Sequence, residues 1–121
     1  MAKPVLVVDD EADMAATYAR LLRRQGHEVV CVGTRAAGLK AVAAAPPSLV
    51  IADLRLPDGD GLDVVRAARA LPAPAPVIVA TVLASRETRQ AAMAAGAAAF
   101  LAKPFTAESF SSLVSQLLGG P

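Results

Sequence analysis

Five short hydrophobic runs recur along the chain, and a longer stretch with helical periodicity separates each run from the next. The runs are rich in valine, isoleucine, leucine and alanine and cover residues 5–8, 29–32, 49–52, 77–80 and 99–102. They are continuous rather than alternating, which is typical of parallel strands that are covered on both faces. The pattern therefore predicts five parallel β-strands.

The segments between the runs predict the helices that cover the strands. In the first segment apolar residues recur at helical spacing, and Gly26 follows them where it can end a helix in a left-handed conformation. Thr34 can cap a second helix, which Pro46 and Pro47 stop, and a third helix ends near Pro72. We therefore expect a helix after each of the first three strands.

Two further helices complete the pattern. The fourth, from about residue 86 to 95, has no large apolar residue beyond Met93, so we expect it to be the least firmly packed. In the fifth, Thr106 is the predicted N-cap, and Phe105 can pack on Phe110 as a hydrophobic staple.

A βα unit repeated five times with short connections predicts an α/β fold with right-handed crossovers. The expected solution is a doubly wound, flavodoxin-like parallel sheet of five strands, in the order 2-1-3-4-5, with five helices. We expect a single domain over residues 1–121, because no linker or low-complexity segment interrupts the pattern. The tail 119–121 reads either as a natural end or as the start of a linker.

Composition narrows the classes of function. Alanine inflates the hydrophobic content of 55%, and no apolar run approaches the roughly 18 residues of a spanning helix, so we expect a soluble protein. A net charge of +1 gives no electrostatic footprint for nucleic acid or a membrane. The single cysteine, Cys31, and the lack of a signal peptide favour the cytoplasm. Cys31 falls in a strand predicted to be buried, where it would serve as a small hydrophobic residue.

Polar residues follow four of the five strands. Asp9 and Asp10 follow the first, Asp53 the third, Thr81 the fourth and Lys103 the fifth. The carboxyl ends of such strands share one edge of the sheet, where ligands bind, so these side chains should converge. Three carboxylates repel one another unless a cation joins them, and all-oxygen ligands suit Mg²⁺. Carboxylate, Mg²⁺, lysine and threonine together indicate phosphoryl transfer, with a carboxylate as acceptor.

These residues lie in segments that identify a family. They are Val-Asp-Asp-Glu at 8–11, Asp-Leu-Arg-Leu-Pro-Asp-Gly-Asp-Gly at 53–61, Thr81, and Lys-Pro-Phe-Thr at 103–106. In order and spacing the chain resembles, over essentially its whole length, the receiver domains of bacterial two-component response regulators. The resemblance implies that Asp53 is the phosphoacceptor.

The resemblance also implies the roles of the neighbouring residues. Asp10, Asp53 and the backbone carbonyl of Arg55 would bind Mg²⁺, and Asp9 would help directly or through water. Lys103 would pair with the phosphoryl group, or with Asp53 before phosphorylation.

Two further residues would form the switch. Thr81 would hydrogen-bond a phosphoryl oxygen, and Phe100 would be the switch aromatic, although plain core packing explains Phe100 equally well. The Lys103–Pro104 peptide bond would be cis, as in this family. Val82 departs from the small residue that is usual after the threonine and would narrow access to the site. Arg55 and Leu83 occupy variable positions at the rim.

The function implied is a phosphorylation-activated signalling module. A sensor histidine kinase would phosphorylate Asp53, and the face formed by the fourth helix, fifth strand and fifth helix would change its affinity for an effector domain or target protein. Phosphorylation could also produce a homodimer; no direct contact with nucleic acid or membrane is expected. Such a module catalyses its own phosphotransfer and dephosphorylation rather than acting as a conventional enzyme.

Two alternatives remain. A phosphatase of the haloacid-dehalogenase type also uses aspartate, Mg²⁺, threonine and lysine. It carries its nucleophile on the first strand, with a second acid two residues later, where this chain has Asp53 on the third strand and Arg55 at the second position. A flavodoxin-like FMN-binding protein shares the topology, but no phosphate-binding loop rich in serine, threonine and glycine follows the first strand.

Overall fold

The computed structural model describes residues 3–119 and contains a five-stranded parallel sheet. Its strands are β1 (Val5–Val8), β2 (Val29–Val32), β3 (Leu49–Ala52), β6 (Val77–Thr81) and β7 (Ala99–Ala102). Between β3 and β6 two short strands, β4 (Arg55–Leu56) and β5 (Gly59–Asp60), pair antiparallel in a hairpin. The order in the main sheet is β2-β1-β3-β6-β7, which is 2-1-3-4-5 when only its five strands are counted. The predicted fold class is confirmed.

Five helices cover the sheet. They are α1 (Ala12–Arg24), α2 (Arg35–Ala44), α3 (Leu62–Arg69), α4 (Arg86–Ala94) and α5 (Ala107–Leu118). The predicted caps are present: Thr34 Oγ1 accepts a hydrogen bond from the backbone N–H of Ala37, and Thr106 Oγ1 accepts one from Ser109. Gly26 has a φ of 88°, and the rings of Phe105 and Phe110 stack with their centroids 5.8 Å apart. Local cap chemistry therefore determines where these helices begin and end.

The core forms two layers, one on each face of the sheet. One layer packs α1 and α5 onto the sheet, with Tyr18, Leu22 and Phe110 fully buried. The other layer packs α2 and α3 onto the opposite face. The central strands β1, β3 and β6 are buried along their whole length, as a parallel sheet that is covered on both faces requires.

The prediction that Cys31 is buried is wrong, because Cys31 is exposed. It lies on β2, which forms one edge of the sheet and is only partly covered, so that Val30 is also 44% exposed. The weak packing expected of the fourth helix is confirmed: of the residues of α4, only Ala92 is buried. Within residues 3–119 no helix has the length and apolar character needed to cross a membrane.

Candidate functional site

Backbone hydrogen bonds between neighbouring strands continue just beyond the strand ends and position the polar residues there. The N–H of Asp9 donates to the carbonyl of Val32 at 3.1 Å, and that of Asp53 donates to Val8 at 2.9 Å. The N–H of Lys103 donates to Thr81 at 2.9 Å. The polar side chains therefore leave the sheet from a rigid framework rather than from mobile loops.

Lys103 bridges two buried carboxylates. Its Nζ lies 2.7 Å from Asp9 Oδ2 and 2.9 Å from Asp53 Oδ2. The three side chains are only 6%, 2% and 8% exposed, respectively. Glu11, whose side chain is 63% exposed, approaches Lys103 from outside at 3.5 Å. One ammonium thus compensates two carboxylates that the fold holds away from water.

Burial and charge act in opposite directions on the ionisation of this cluster. Burial alone would lower the pKa of Lys103, but its hydrogen bonds to Asp9 and Asp53 outweigh that effect and raise the pKa above its usual value. Burial raises the pKa of Asp9, and the hydrogen bonds from Lys103 and from the Glu11 backbone offset that rise only in part. Lys103 is therefore protonated at neutral pH, and its charge only partly offsets the cost of burying the Asp9 carboxylate.

The carboxylates are arranged to hold a divalent cation. Asp9, Asp10 and Asp53 each offer a carboxylate oxygen, and these oxygens lie within 4.8 Å of one another. Asp10 is exposed and lines, with Asp53 and Arg55, a cavity of about 390 Å³. An all-oxygen donor set that opens to solvent on one side suits Mg²⁺, which keeps several of its waters. The residues present fit that ion.

The β4–β5 hairpin, which the sequence analysis did not predict, holds Arg55 beside Asp53. The N–H of Arg55 donates to Asp53 Oδ1 at 3.2 Å, and the N–H of Gly61 donates to the carbonyl of Leu54 at 2.8 Å. A Cβ at Gly61 would collide with the carbonyl oxygen of Asp53. Glycine at this position lets the chain close tightly against the backbone of the predicted phosphoacceptor.

Asp58, at the turn of the hairpin, anchors it to α2. Its two carboxylate oxygens accept hydrogen bonds from the backbone N–H groups of Arg35 at 2.6 Å and Ala36 at 2.9 Å. These bonds lower the pKa of Asp58, because they stabilise its ionised form at the N-terminus of a helix. The side chain of Arg35 continues to Asp63 on α3 at 2.7 Å. The hairpin is therefore tied to two helices.

Thr81 contacts the loop that leads to α4, and Phe100 contacts α4 itself. Thr81 is fully buried, and its Oγ1 accepts a hydrogen bond from the N–H of Leu83 at 3.2 Å in the loop that leads to α4. Phe100 on β7 is half-buried, and the guanidinium carbon of Arg89 on α4 lies 4.7 Å from the centre of its ring. Phe100 thus contacts α4 rather than the carboxylates.

The structure brings Asp9, Asp10, Asp53 and Lys103 together as the strand ends predict. Val82 is 61% exposed and lines the same cavity. The Lys103–Pro104 bond is cis, as the resemblance implies. The sequence pattern assigns Tyr18 no role in the site. In the structure Tyr18 is buried in the α1 and α5 layer, where burial raises its pKa and the charges of Lys103, Asp9 and Asp53 also act on that pKa. The burial of Tyr18 beside the site is visible only once α1 is packed against the sheet.

Comparisons with known proteins identify the family of the chain. A family model described as the response regulator receiver domain matches residues 5–115. The transcriptional regulatory protein PrrA of Mycobacterium tuberculosis is 37% identical over 114 residues, which is 94% of this chain and 49% of that protein. The chain spans about half the length of the curated relatives it matches.

Two solved structures are informative. A response regulator protein from Burkholderia pseudomallei with a phosphorylated aspartic acid, a calcium ion and citrate has a TM-score of 0.82 and 32% identity, over 94% of this chain and 71% of that one. The receiver domain of the sensor histidine kinase PA1611 from Pseudomonas aeruginosa, with a magnesium ion in its active-site cleft, has a TM-score of 0.86 over 99% of this chain and all of that one. At 24% identity the second likeness shows the fold alone. The haloacid-dehalogenase and FMN alternatives receive no support, and the chain belongs to the family of response regulator receiver domains.

Proposed function

We propose that Asp53 accepts a phosphoryl group from a sensor histidine kinase and that the domain thereby controls an output surface. The observation that carries this proposal is the pairing of one buried lysine with Asp9 and Asp53, beside a third carboxylate on an open cavity. A response regulator that is 32% identical to this chain has a phosphorylated aspartic acid, which supports the chemistry.

Mg²⁺ is the proposed cofactor. Asp10, Asp53 and the carbonyl of Arg55 would hold it, with Asp9 binding directly or through water, and the three carboxylate oxygens within 4.8 Å of one another support this choice. When bound, the ion supplies positive charge to the phosphoryl oxygens during transfer.

The chain's own residues orient the acceptor. The hydrogen bonds from Arg55 N–H and Lys103 Nζ fix the plane of the Asp53 carboxylate. A carboxylate oxygen of Asp53 attacks phosphorus and an oxygen–phosphorus bond forms, while the bond to the donor's imidazole nitrogen breaks. The other ring nitrogen of the donor carries a proton taken from solvent water, so that the imidazole leaves as a neutral group. Lys103 remains available to pair with the transferred group because it is already 2.9 Å from Asp53.

The proposed switch runs from Thr81 to α4. Thr81 Oγ1 now accepts a hydrogen bond from the Leu83 N–H, and it would have to turn toward the site to donate its own O–H to a phosphoryl oxygen. That movement would break the bond to Leu83 and release the loop before α4. Because α4 buries only Ala92, little packing energy opposes its movement. The contact of Arg89 with Phe100 would change with it. The output face in this proposal is therefore α4, β7 and α5.

Partners follow from the same proposal. We infer that residues 1–121 act as one receiver domain in the cytoplasm, phosphorylated by a histidine kinase. The matched relatives are about twice as long as this chain, so an effector domain or a separate target protein would receive the signal. A homodimer through the output face is a further outcome of phosphorylation. We expect no direct contact of this domain with nucleic acid, because a net charge of +1 gives no electrostatic footprint for it.

Acetyl phosphate labelling tests the proposal. With Mg²⁺, the wild-type protein should gain one phosphoryl group that is stable in acid and lost in base, as an acyl phosphate is. Asp53→Asn should not be labelled. Asp60→Asn is the matched control, because Asp60 Oδ1 accepts a hydrogen bond from the N–H of Leu62 and the amide oxygen of asparagine can accept the same bond, so its labelling should equal that of the wild type. Labelling of Asp53→Asn at the wild-type rate would refute the assignment.

A further inference from the structure

Tyr18 carries a buried hydroxyl that lacks a partner. Its side chain is 0% exposed, and its ring packs against Phe105 and Phe110 with centroid distances of 5.8 and 5.2 Å. Within residues 3–119 no group forms a hydrogen bond with its hydroxyl. A buried hydroxyl without a partner costs free energy, and phenylalanine would fill the same space without that cost.

The position of Tyr18 on α1 and the contacts of its ring place it near the phosphoacceptor site. Side chains on a helix lean toward its N-terminus, and α1 begins at Ala12, three residues after Asp9 at the carboxyl edge of the sheet. Phe105, on which the Tyr18 ring stacks, lies two residues after Lys103. Burial raises the pKa of Tyr18, and among the charged groups around it Lys103 has the largest effect, followed by Asp9 and Asp53. The Tyr18 ring therefore lies in the buried layer next to the segment that carries Lys103.

Metal binding creates a need for another acceptor near Lys103. In this structure the ammonium donates to Asp9 at 2.7 Å and to Asp53 at 2.9 Å. A divalent cation that binds the Asp9 carboxylate competes with the ammonium for that oxygen. Lys103 is only 6% exposed, so water cannot easily replace the lost acceptor. Glu11 lies 3.5 Å away, but its side chain is largely in solvent.

We propose that Tyr18 is a positioning residue whose hydroxyl oxygen accepts a hydrogen bond from Lys103 once the cation has taken Asp9. This inference rests on the proposed function, because it assigns Lys103 a role beside phosphorylated Asp53. Tyr18 replaces Asp9 as the second acceptor and keeps the ammonium directed at Asp53. In the metal-free protein the hydroxyl has no hydrogen-bond partner, because Lys103 donates to it only after the metal has bound.

Tyr18→Phe tests the inference, because it removes one oxygen atom and keeps the ring. Without metal, the urea midpoint of Tyr18→Phe should equal or exceed that of the wild type. Its Mg²⁺ affinity, measured by titration calorimetry, and its rate of labelling by acetyl phosphate at saturating Mg²⁺ should each fall by about fivefold, the equivalent of one net hydrogen bond. In a Lys103→Gln background, Tyr18→Phe should have no further effect on Mg²⁺ affinity.

Phe110→Leu is the packing control. It disturbs the same aromatic cluster without removing a polar atom, so it should lower the urea midpoint and leave the Mg²⁺ affinity unchanged. Wild-type affinity and labelling in Tyr18→Phe would overturn the inference and leave the proposed function standing. A lowered urea midpoint with unchanged affinity would also overturn it, because the hydroxyl would then make a purely structural bond. A wild-type protein that is not labelled at Asp53 would instead refute the proposed function.

Discussion

Lys103 is the residue on which the charge balance of the site depends. Its single positive charge faces two buried carboxylates, and Asp10 adds a third on the open side. Removing one partner of a buried ion pair leaves an uncompensated buried charge. The free-energy cost of that charge exceeds the stabilisation that the intact pair provides. With three carboxylates and one ammonium, the cluster remains two positive charges short until a divalent cation binds, which is how the side chains of the site favour metal binding.

Gly61 is a second residue whose identity the site requires. Its backbone is helical, with φ −64° and ψ −16°, so alanine is allowed by conformation, and only the collision of a Cβ with the Asp53 carbonyl excludes it. Gly61→Ala should lower the free energy of unfolding by about 1–3 kcal/mol, as overpacking does, and slow the labelling of Asp53. Urea unfolding and acetyl phosphate labelling measure the two effects.

Gly33→Ala is the control for that substitution. A Cβ at Gly33 would lie 3.8 Å from Asp10 Cα and 3.9 Å from the Asp9 carbonyl, which is ordinary van der Waals contact. Equal effects of the two substitutions would show that the close approach of Gly61 to Asp53 has no special importance.

At the residue level, the sequence predicted which side chains meet, and the resemblance implied the pair of Lys103 with Asp53 but not its pair with Asp9. Asp9, Asp53 and Lys103 were expected at one edge because each follows a strand, and strand ends are visible as the limits of hydrophobic runs. The bridging geometry of Lys103 depends on side-chain conformation and burial, which no local pattern encodes. The prediction for Cys31 is wrong because a continuous hydrophobic run does not show how far a strand is covered, even though the predicted order 2-1-3-4-5 places strand 2 at the edge of the sheet.

At the scale of elements, the hairpin and α2 form one unit. Asp58 caps α2 from 22 to 23 residues away in the chain, and its pKa is lowered mainly by the backbone N–H groups of Ala36 and Arg35. Because the folded state lowers this pKa, the unfolded state binds more protons in acid. The contribution of Asp58 to stability is therefore fully present above its ordinary pKa of 3.8 and is lost as the pH falls through the lower value of the folded state.

Asp58→Asn tests this linkage. The variant should be less stable than the wild type at pH 7, because an amide accepts these bonds less strongly than a carboxylate. The difference should shrink as the pH falls below 3.8, when the wild-type carboxyl becomes protonated. Urea midpoints measured from pH 7 to pH 2 report the difference. A difference that is constant, or that grows in acid, would contradict the assigned role.

The elements differ in how well the sequence predicted them. Four of the five strands of the main sheet match the predicted runs. The remaining strand, β6, extends one residue beyond the predicted run 77–80, to Thr81. Helix ends were predicted where a side chain or a glycine determines them locally, as at Thr34, Thr106 and Gly26. The β4–β5 hairpin was missed because strands of two residues have no periodicity.

At the scale of the whole molecule, metal binding and folding are linked. A ligand that binds only the folded state stabilises it by about 1.4 kcal/mol at ten times its dissociation constant. Mg²⁺ should therefore raise the urea midpoint of the wild type. In Asp10→Asn the rise should be much smaller, since an exposed carboxylate ligand is lost.

Without metal, Asp10→Asn should be as stable as the wild type or slightly more stable, because one of three repelling charges has been removed. Unfolding in urea with EDTA, and again with Mg²⁺, separates the two effects. An equal rise with Mg²⁺ in both proteins would remove Asp10 from the metal site.

Phosphorylation of Asp53 is proposed to change the structure of the face formed by α4, β7 and α5. Beryllofluoride with Mg²⁺ stands in for the phosphoryl group on the Asp53 carboxylate, and the amide resonances of the whole domain report the response. We expect the largest shifts along residues 82–105, smaller shifts in residues 35–44 of α2, and none in Asp53→Asn. Thr81→Ala should reduce the shift at Phe100. Shifts that are largest in α2, with residues 82–105 unchanged, would contradict this account.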